Sequence, residues 1–270
     1  MLSKSYQVSD KSTLSTPFNT QSFLVSFILP PVIATDFVDR PIEITKLEHT
    51  LIPGEPSRSR KIMVIQGLGG AGKTQLTIRY ARLYKDKYTG ILWLEGSSRE
   101  SLMNSILKYA RIIPDTSLQQ QATKFTEYLS SQKTNIELHA SQLPNEPLPT
   151  FDNILQSFKH WLCMNGNSKW LIIFDNVDRE YTAKDSQSYD LKSYLPDSDH
   201  GSILITTRQL RMCQLGKSLS LVRMSKEQSL QLLSERSGIH KSRKCRFLLV
   251  CGTLLKVQLS KKKHKSSLQG

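Results

Sequence analysis

Residues Gly67-Leu68-Gly69-Gly70-Ala71-Gly72-Lys73-Thr74 follow directly on the apolar run Ile62-Met63-Val64-Ile65 and lead into a stretch of helical periodicity. A buried strand, a Gly-x-x-x-x-Gly-Lys-Thr loop and a helix, in that order, open a βαβ unit and leave few other folds available. Glycines let the backbone take left-handed torsions and approach a polyphosphate closely, so that successive N–H groups turn toward its oxygens. The helix beginning near Lys73 brings the positive end of its dipole, Lys73 a full charge for β- and γ-phosphates, and Thr74 a hydroxyl that can ligate Mg2+. The ligand these residue types call for is a nucleoside triphosphate.

The rest of the chain continues the same grammar. Asp36 to Leu51 reads as a short helix, broken by Pro53-Gly54-Glu55-Pro56, before a first strand at Lys61 to Gln66. A helix is expected from Lys73 to about Lys87, then a strand at Ile91-Leu92-Trp93-Leu94 whose unbroken apolar run suits burial on both faces. Ser97 with Glu100 has the spacing of a capping box, and Leu102, Ile106, Tyr109 and Ile113 recur at helical spacing up to Pro114. Residues 115–150 are polar and end in Pro144, Pro147 and Pro149, the composition of an exposed, variable insert. Phe151, Leu155, Phe158 and Leu162 mark another amphipathic helix. Trp170-Leu171-Ile172-Ile173-Phe174 and Ser202 to Thr207 are buried-type strands ending in Asp175 and Arg208. Strands alternating with helices predict an α/β fold, a doubly wound, mainly parallel sheet with helices on both faces.

Charge and cysteine content narrow the function classes. The chain of 270 residues has a formal net charge of +14, which by itself invites a nucleic-acid reading. Nine of those charges come from residues 241–270, which hold no acid, so the excess belongs to a basic tail and not to the domain. Contact of that tail with nucleic acid or an anionic membrane is the less favoured reading; a solvated tail is preferred. Cys163, Cys213, Cys245 and Cys251 show neither zinc spacing nor a disulfide framework, pointing to a reducing interior, cytoplasmic with the nucleus as alternative. Residues 1–35, rich in Ser, Thr and Gln at their start, read as a flexible leader, and Phe23 to Ala34 is too short and too Pro-interrupted to span a bilayer.

In open α/β sheets ligands sit beyond the carboxyl ends of the strands, so polar residues there are the candidates for chemistry. Asp175 suits the role of a carboxylate accepting Mg2+ together with Thr74, and Arg208 has the reach and fork geometry for a γ-phosphate. After Asp175 stands Asn176, where many hydrolytic enzymes of this type carry a carboxylate that activates water, and an amide is no general base. Asp178 could substitute, although the sequence leaves its direction open.

The loop, Leu171-Ile172-Ile173-Phe174-Asp175-Asn176-Val177-Asp178 and Gly201-Ser202-Ile203-Leu204-Ile205-Thr206-Thr207-Arg208 together resemble the NB-ARC branch of the STAND signalling P-loop NTPases, fungal members above all. Phe37-Val38-Asp39-Arg40 resembles that family's opening motif, with Asp39 where Gly is usual. The resemblance implies an ADP- or ATP-binding switch with Mg2+ and at most slow hydrolysis. Its nucleotide contacts would come from Gly67, Gly69, Gly70, Ala71, Gly72, Lys73, Thr74 and Gln75, with Val38 and Arg40. Asp175 and Arg208 would act on the γ-phosphate, and Thr74 and Asp175 on the metal. It implies a nucleotide-binding domain over residues 36–224, the start of a helical subdomain at 225–240 opened by a Ser225 and Gln228 capping box, and leaves self-association through the domain open. The family's Gly-Leu-Pro-Leu and Met-His-Asp motifs do not occur, and the Lys-rich residues 241–270 stand in their place, so an incomplete switch that holds nucleotide weakly is expected. The alternatives are a free-standing ATPase and a binder acting through the basic tail.

Overall fold

The computed structural model describes residues 23–25, 28, 40–53, 59–134, 149–182, 184–222 and 229–230. Thirteen residues with apolar side chains at helical spacing show how its helices arise. In Phe151–Cys163 (α5), Phe151, Ile154, Leu155, Phe158, Trp161 and Leu162 are buried on one stripe, while Thr150 caps the start by accepting the N–H of Asn153 at 3.3 Å. Each such buried side chain contributes about 1.5–3 kcal/mol. The other helices are α1 (Pro41–Leu51), α2 (Lys73–Leu83, with a 3-10 turn at Lys85–Lys87), α3 (Arg99–Ala110) and α4 (Thr116–Thr134).

Five parallel strands, β1 (Lys61–Gln66), β2 (Gly90–Glu95), β3 (Trp170–Asp175), β4 (Ser202–Thr207) and β5 (Lys217–Ser220), form one sheet in the order β2-β3-β4-β1-β5. Alternation along the strands sorts the core into two layers. Met63, Ile65, Ile91, Trp93, Leu171, Ile173 and Leu204 meet Leu47 and Leu51 of α1 and Leu76 and Tyr80 of α2 on one face. Val64, Leu92, Leu94, Ile172, Phe174, Ile203 and Ile205 meet α3, α4 and α5 on the other. The predicted doubly wound α/β sheet is therefore present, with β1 inside it and β4 between β1 and β3.

Several local expectations give way to tertiary structure. The cap of α3 is Ser98, whose Oγ accepts the N–H of Ser101 at 3.1 Å, not the Ser97 and Glu100 pair; two adjacent serines compete, and the one in extended conformation at the helix start wins. Half of the supposed exposed insert is α4: Asp115 accepts the N–H of Leu118 at 2.9 Å, and Leu118 and Ala122 are buried where the helix packs on α3 and α5. Within the supposed leader, Val25 N–H donates to Thr89 O at 3.0 Å, Phe23 lies 6.2 Å from the Trp161 ring, and Ile28 O accepts the Tyr109 hydroxyl at 3.1 Å. Strand β5 has no counterpart in the sequence reading, since only Leu219 of its four residues is buried. Phe37, Val38, Asp39, the Ser225 and Gln228 pair and the basic residues 241–270 lie outside the described residues. Among those described, no helix is long and apolar enough to cross a membrane.

Candidate functional site at the strand ends

The Gly67–Thr74 loop leaves β1 and enters α2 at the carboxyl ends of the strands, where the sheet order also brings β3 and β4. Gly72 stands at φ 91°, the left-handed conformation that lets the chain turn from loop into helix without a Cβ penalty. At Gly67 the need is space: a Cβ there would sit 2.5 Å from Leu221 O, because the chain leaving β5 crosses the base of the loop. Lys73 is buried, and its ammonium donates to Gly67 O at 2.9 Å and Leu68 O at 3.2 Å. Burial lowers its pKa, with Asp178 and Asp175 pulling the other way and Arg208 adding to the depression. Gln75 follows on α2, half-buried.

Asp175 ends β3 with a relative exposure of 2%, and among the described residues its carboxylate accepts from hydroxyls. Thr74 Oγ1 donates to its two oxygens at 3.0 and 3.1 Å, and Thr206 Oγ1, from the intervening β4, donates to Oδ1 at 2.5 Å. Burial raises its pKa above the usual carboxylate range, more than the Thr206 and Thr74 hydrogen bonds lower it; Glu95 adds to the rise and Lys73 opposes it. A buried carboxylate beside a hydroxyl, with no ion-pair partner among the described residues, is a hard-oxygen donor set that fits Mg2+. The residues that would hold it are Thr74 and Asp175.

Arg208 extends from the end of β4 toward the loop. Its guanidinium carbon lies 3.3 Å from the place a Cβ on Gly69 would take, and its Nε donates to Asp178 Oδ2 at 2.8 Å. The direction of Asp178 is thus resolved: it faces Arg208. Arg40 is drawn into protein contacts, donating to Ala71 O at 3.3 Å and Val222 O at 3.3 Å and pairing with Glu43 at 3.4 Å, so it braces the loop against the chain leaving β5. Val38 lies outside the described residues.

One residue of the cluster escaped the sequence reading. Glu95 ends β2 in register with Asp175, and its Oε1 accepts the Asn176 amide at 3.3 Å. The rule that singles out polar residues after buried strands applies to it as well as to Asp175; its signal was the glutamate closing Ile91-Leu92-Trp93-Leu94. A separate cavity of about 610 Å³, lined in part by His49, Lys61, Asp197 and Lys217, opens at the opposite strand ends. Lys61 there already donates to Ile52 O at 2.6 Å, and strand amino ends are not where such sheets bind ligands.

A parallel sheet whose glycine loop runs from an inner strand into a helix, with a carboxylate on the strand beyond its neighbour, is a P-loop NTPase fold. Over 233 residues the chain is 26% identical to a nucleotide-binding leucine-rich repeat (NLR)-like protein of the fungus Hyaloscypha variabilis, and its resemblance to the NB-ARC branch of STAND proteins stands with that likeness. The match takes in 82% of this chain and 20% of the relative, so the chain spans about a fifth of that protein's length. No family model matches the chain. Among solved structures, Cdc6p from Pyrobaculum aerophilum overlaps 78% of this chain and 52% of its own with a TM-score of 0.46 and 13% identity. A STAND protein with a tetratricopeptide repeat sensor from Pyrococcus horikoshii overlaps 84% of this chain and 28% of its own with a TM-score of 0.41 and 18% identity.

Proposed function

We propose that this chain is the nucleotide-binding module of an NB-ARC-type signalling switch, taking ADP or ATP with Mg2+ at the Gly67–Thr74 loop and hydrolysing ATP slowly. The observation that carries the reading is the convergence of Lys73, Thr74, Asp175 and Arg208 from three separate elements on one end of the sheet. Loop N–H groups and Lys73 would hold the β-phosphate common to both nucleotides; Arg208 would contact only the γ-phosphate. A ligand shifts a conformational equilibrium only by its difference in affinity for the two states, and Arg208 supplies such a difference between ATP and ADP. Mg2+, when bound by Thr74 and Asp175, would neutralise charge between the β- and γ-phosphates. The relative from Hyaloscypha variabilis is named as a nucleotide-binding protein, which supports the same reading.

The test is to purify the full chain, denature it and identify any released nucleotide, then to measure equilibrium binding of fluorescent ADP and ATP analogues with and without Mg2+. Binding of both, with Mg2+ strengthening the triphosphate, is expected. Absence of binding together with no thermal shift in Mg-ADP or Mg-ATP would refute the reading, since a ligand of the folded state must stabilise it.

A further inference from the structure

Hydrolysis at this site needs a group to take a proton from water, and the obvious carboxylates are committed elsewhere. Asp175 receives three hydroxyl hydrogen bonds and faces Thr74. Asp178 gives Oδ1 to the Arg208 N–H at 2.6 Å and Oδ2 to its side chain at 2.8 Å. Position 176 is an amide. Glu95 is different: it is half-buried, Oε1 takes the Asn176 amide, and Oε2 accepts no hydrogen bond among the described residues.

We infer that Glu95 is the water-activating carboxylate of this nucleotide site, held in place by Asn176. Because β2 pairs with β3 in register, the Glu95 and Asp175 backbones stand side by side, about 4.8 Å apart as neighbouring strands are. Glu95 therefore lies one strand further from the loop than the carboxylate that touches Thr74, at the same carboxyl end of the sheet. Asn176 contributes orientation, not basicity. It is the only described non-glycine residue at positive φ, 63°, a conformation that asparagine tolerates better than most residues and that marks functional turns when the surroundings enforce it. Its backbone N–H is fixed by Thr206 Oγ1 at 2.9 Å, so the amide that grips Glu95 is itself anchored to the strand between β1 and β3.

In the step assigned to it, Glu95 Oε2 accepts a proton from water as the water oxygen bonds to the γ-phosphorus. The bond from that phosphorus to the β,γ-bridging oxygen breaks, and its electron pair stays on ADP. The proton then passes from Glu95 to solvent, so that ATP and water yield ADP, inorganic phosphate and one proton. The position of the base is traded relative to the adjacent-carboxylate arrangement: the carboxylate sits on β2 and the amide follows Asp175.

This inference rests on the nucleotide-binding reading, and the experiment separates the two. Single-turnover phosphate release from Mg-ATP is compared in the wild-type chain, Glu95→Gln, Glu95→Asp and Asn176→Ala, alongside equilibrium binding of a fluorescent ADP analogue and thermal melts. Glu95→Gln should lose about 100-fold or more in the hydrolysis rate, the usual contribution of a general base, with the affinity for Mg-ADP unchanged. Glu95→Asp should recover part of the rate, and Asn176→Ala should slow it about 10-fold with Mg-ADP affinity again unchanged. Hydrolysis by Glu95→Gln at the wild-type rate, or a wild-type chain that binds Mg-ATP without hydrolysing it, overturns the assignment. Failure of the wild type to bind any nucleotide overturns the reading beneath it and the assignment together.

Discussion

Asp178 grips Arg208 at two points, accepting its backbone N–H at 2.6 Å and its Nε at 2.8 Å, and so sets the guanidinium above Gly69 of the phosphate loop. The pair is solvent-facing, with Arg208 64% exposed, so its contribution to stability is small, about 0.2–1 kcal/mol. Its weight lies in geometry. An arginine that would meet only the third phosphate is held ready before that phosphate arrives.

Arg208→Ala should therefore lower the affinity for Mg-ATP about 10-fold or more, the loss of one charge-assisted hydrogen bond, while leaving Mg-ADP nearly unchanged. Asp178→Ala should produce a weaker version of the same selective loss, because the guanidinium remains but must be ordered on binding. Titrations with both nucleotides decide it. Equal losses for ADP and ATP would place Arg208 on the β-phosphate or on neither.

Lys73→Ala acts on both nucleotides. The ammonium now bonds to Gly67 O and Leu68 O, so truncation removes the charge that would meet the phosphates and also two contacts that close the loop on itself. A fall of about 10- to 150-fold in affinity for ADP and ATP alike is expected from the 1.5–3 kcal/mol typical of hydrogen bonds to charged groups. Lys73→Arg should not rescue, since a planar fork does not fit between two carbonyls of a tight loop.

Asp175 yields a pH-dependent prediction of unusual sign. Its folded-state pKa is raised by burial, so just above the ordinary carboxylate range the native chain holds more protons than the unfolded one. Stability associated with this group is fully present below about pH 4 and is lost as pH rises through the raised value. Asp175→Asn removes the loss. Its melting temperature without nucleotide should match the wild type near pH 4 and exceed it at neutral pH by a few degrees, about 2–4 °C for each kcal/mol in a domain of this size. If Asp175 holds Mg2+ as proposed, the same substitution should abolish the Mg2+ enhancement of ATP binding, a trade of stability against function. A neutral-pH melt of Asp175→Asn below wild type would contradict the sign.

The portion of this architecture legible in sequence is the portion written in contiguous apolar runs. Lys61 to Gln66, Trp170 to Asp175 and Ser202 to Thr207 begin and end where the residues predict, because each is a short apolar run, buried at its centre, that closes on polar residues. Strand β5 is opposite in character: Lys217, Ser218 and Ser220 are exposed, and only pairing with β1 makes the segment a strand. Helix α4 was hidden by Gln119, Gln120 and Gln121, whose polarity says nothing against a helix that buries only Leu118 and Ala122 along this stretch. At the site, Asp175 and Arg208 were legible as strand-end residues, whereas the Asp178 direction and the Glu95 contact depend on which strands lie side by side. Order in a sheet is a long-range property, and no local pattern encodes it.

Gly201 tests the scaffold apart from the site. It precedes β4 at φ 79°, and an added Cβ would overlap the six-membered ring of Trp170, which is fully buried at the start of β3 and donates Nε1–H to Leu162 O at 2.9 Å. That ring cannot yield without breaking its hydrogen bond, and the backbone cannot shift freely because Gly201 O accepts the N–H of Lys61 at 3.0 Å. Gly201→Ala thus combines a left-handed penalty of about 1–2 kcal/mol with overpacking of about 1–3 kcal/mol. A fall in melting temperature of roughly 4–20 °C follows for a domain of this size. Pairing it with Trp170→Leu should return part of the loss, since the smaller side chain relieves the overlap while the torsional cost persists. The phosphate loop lies at the other end of the sheet, so nucleotide affinity measured well below the melting point should match the wild type. A Gly201→Ala chain melting within about 2 °C of wild type would mean that Trp170 has room to move and that the β3–β4 packing is looser than this geometry requires.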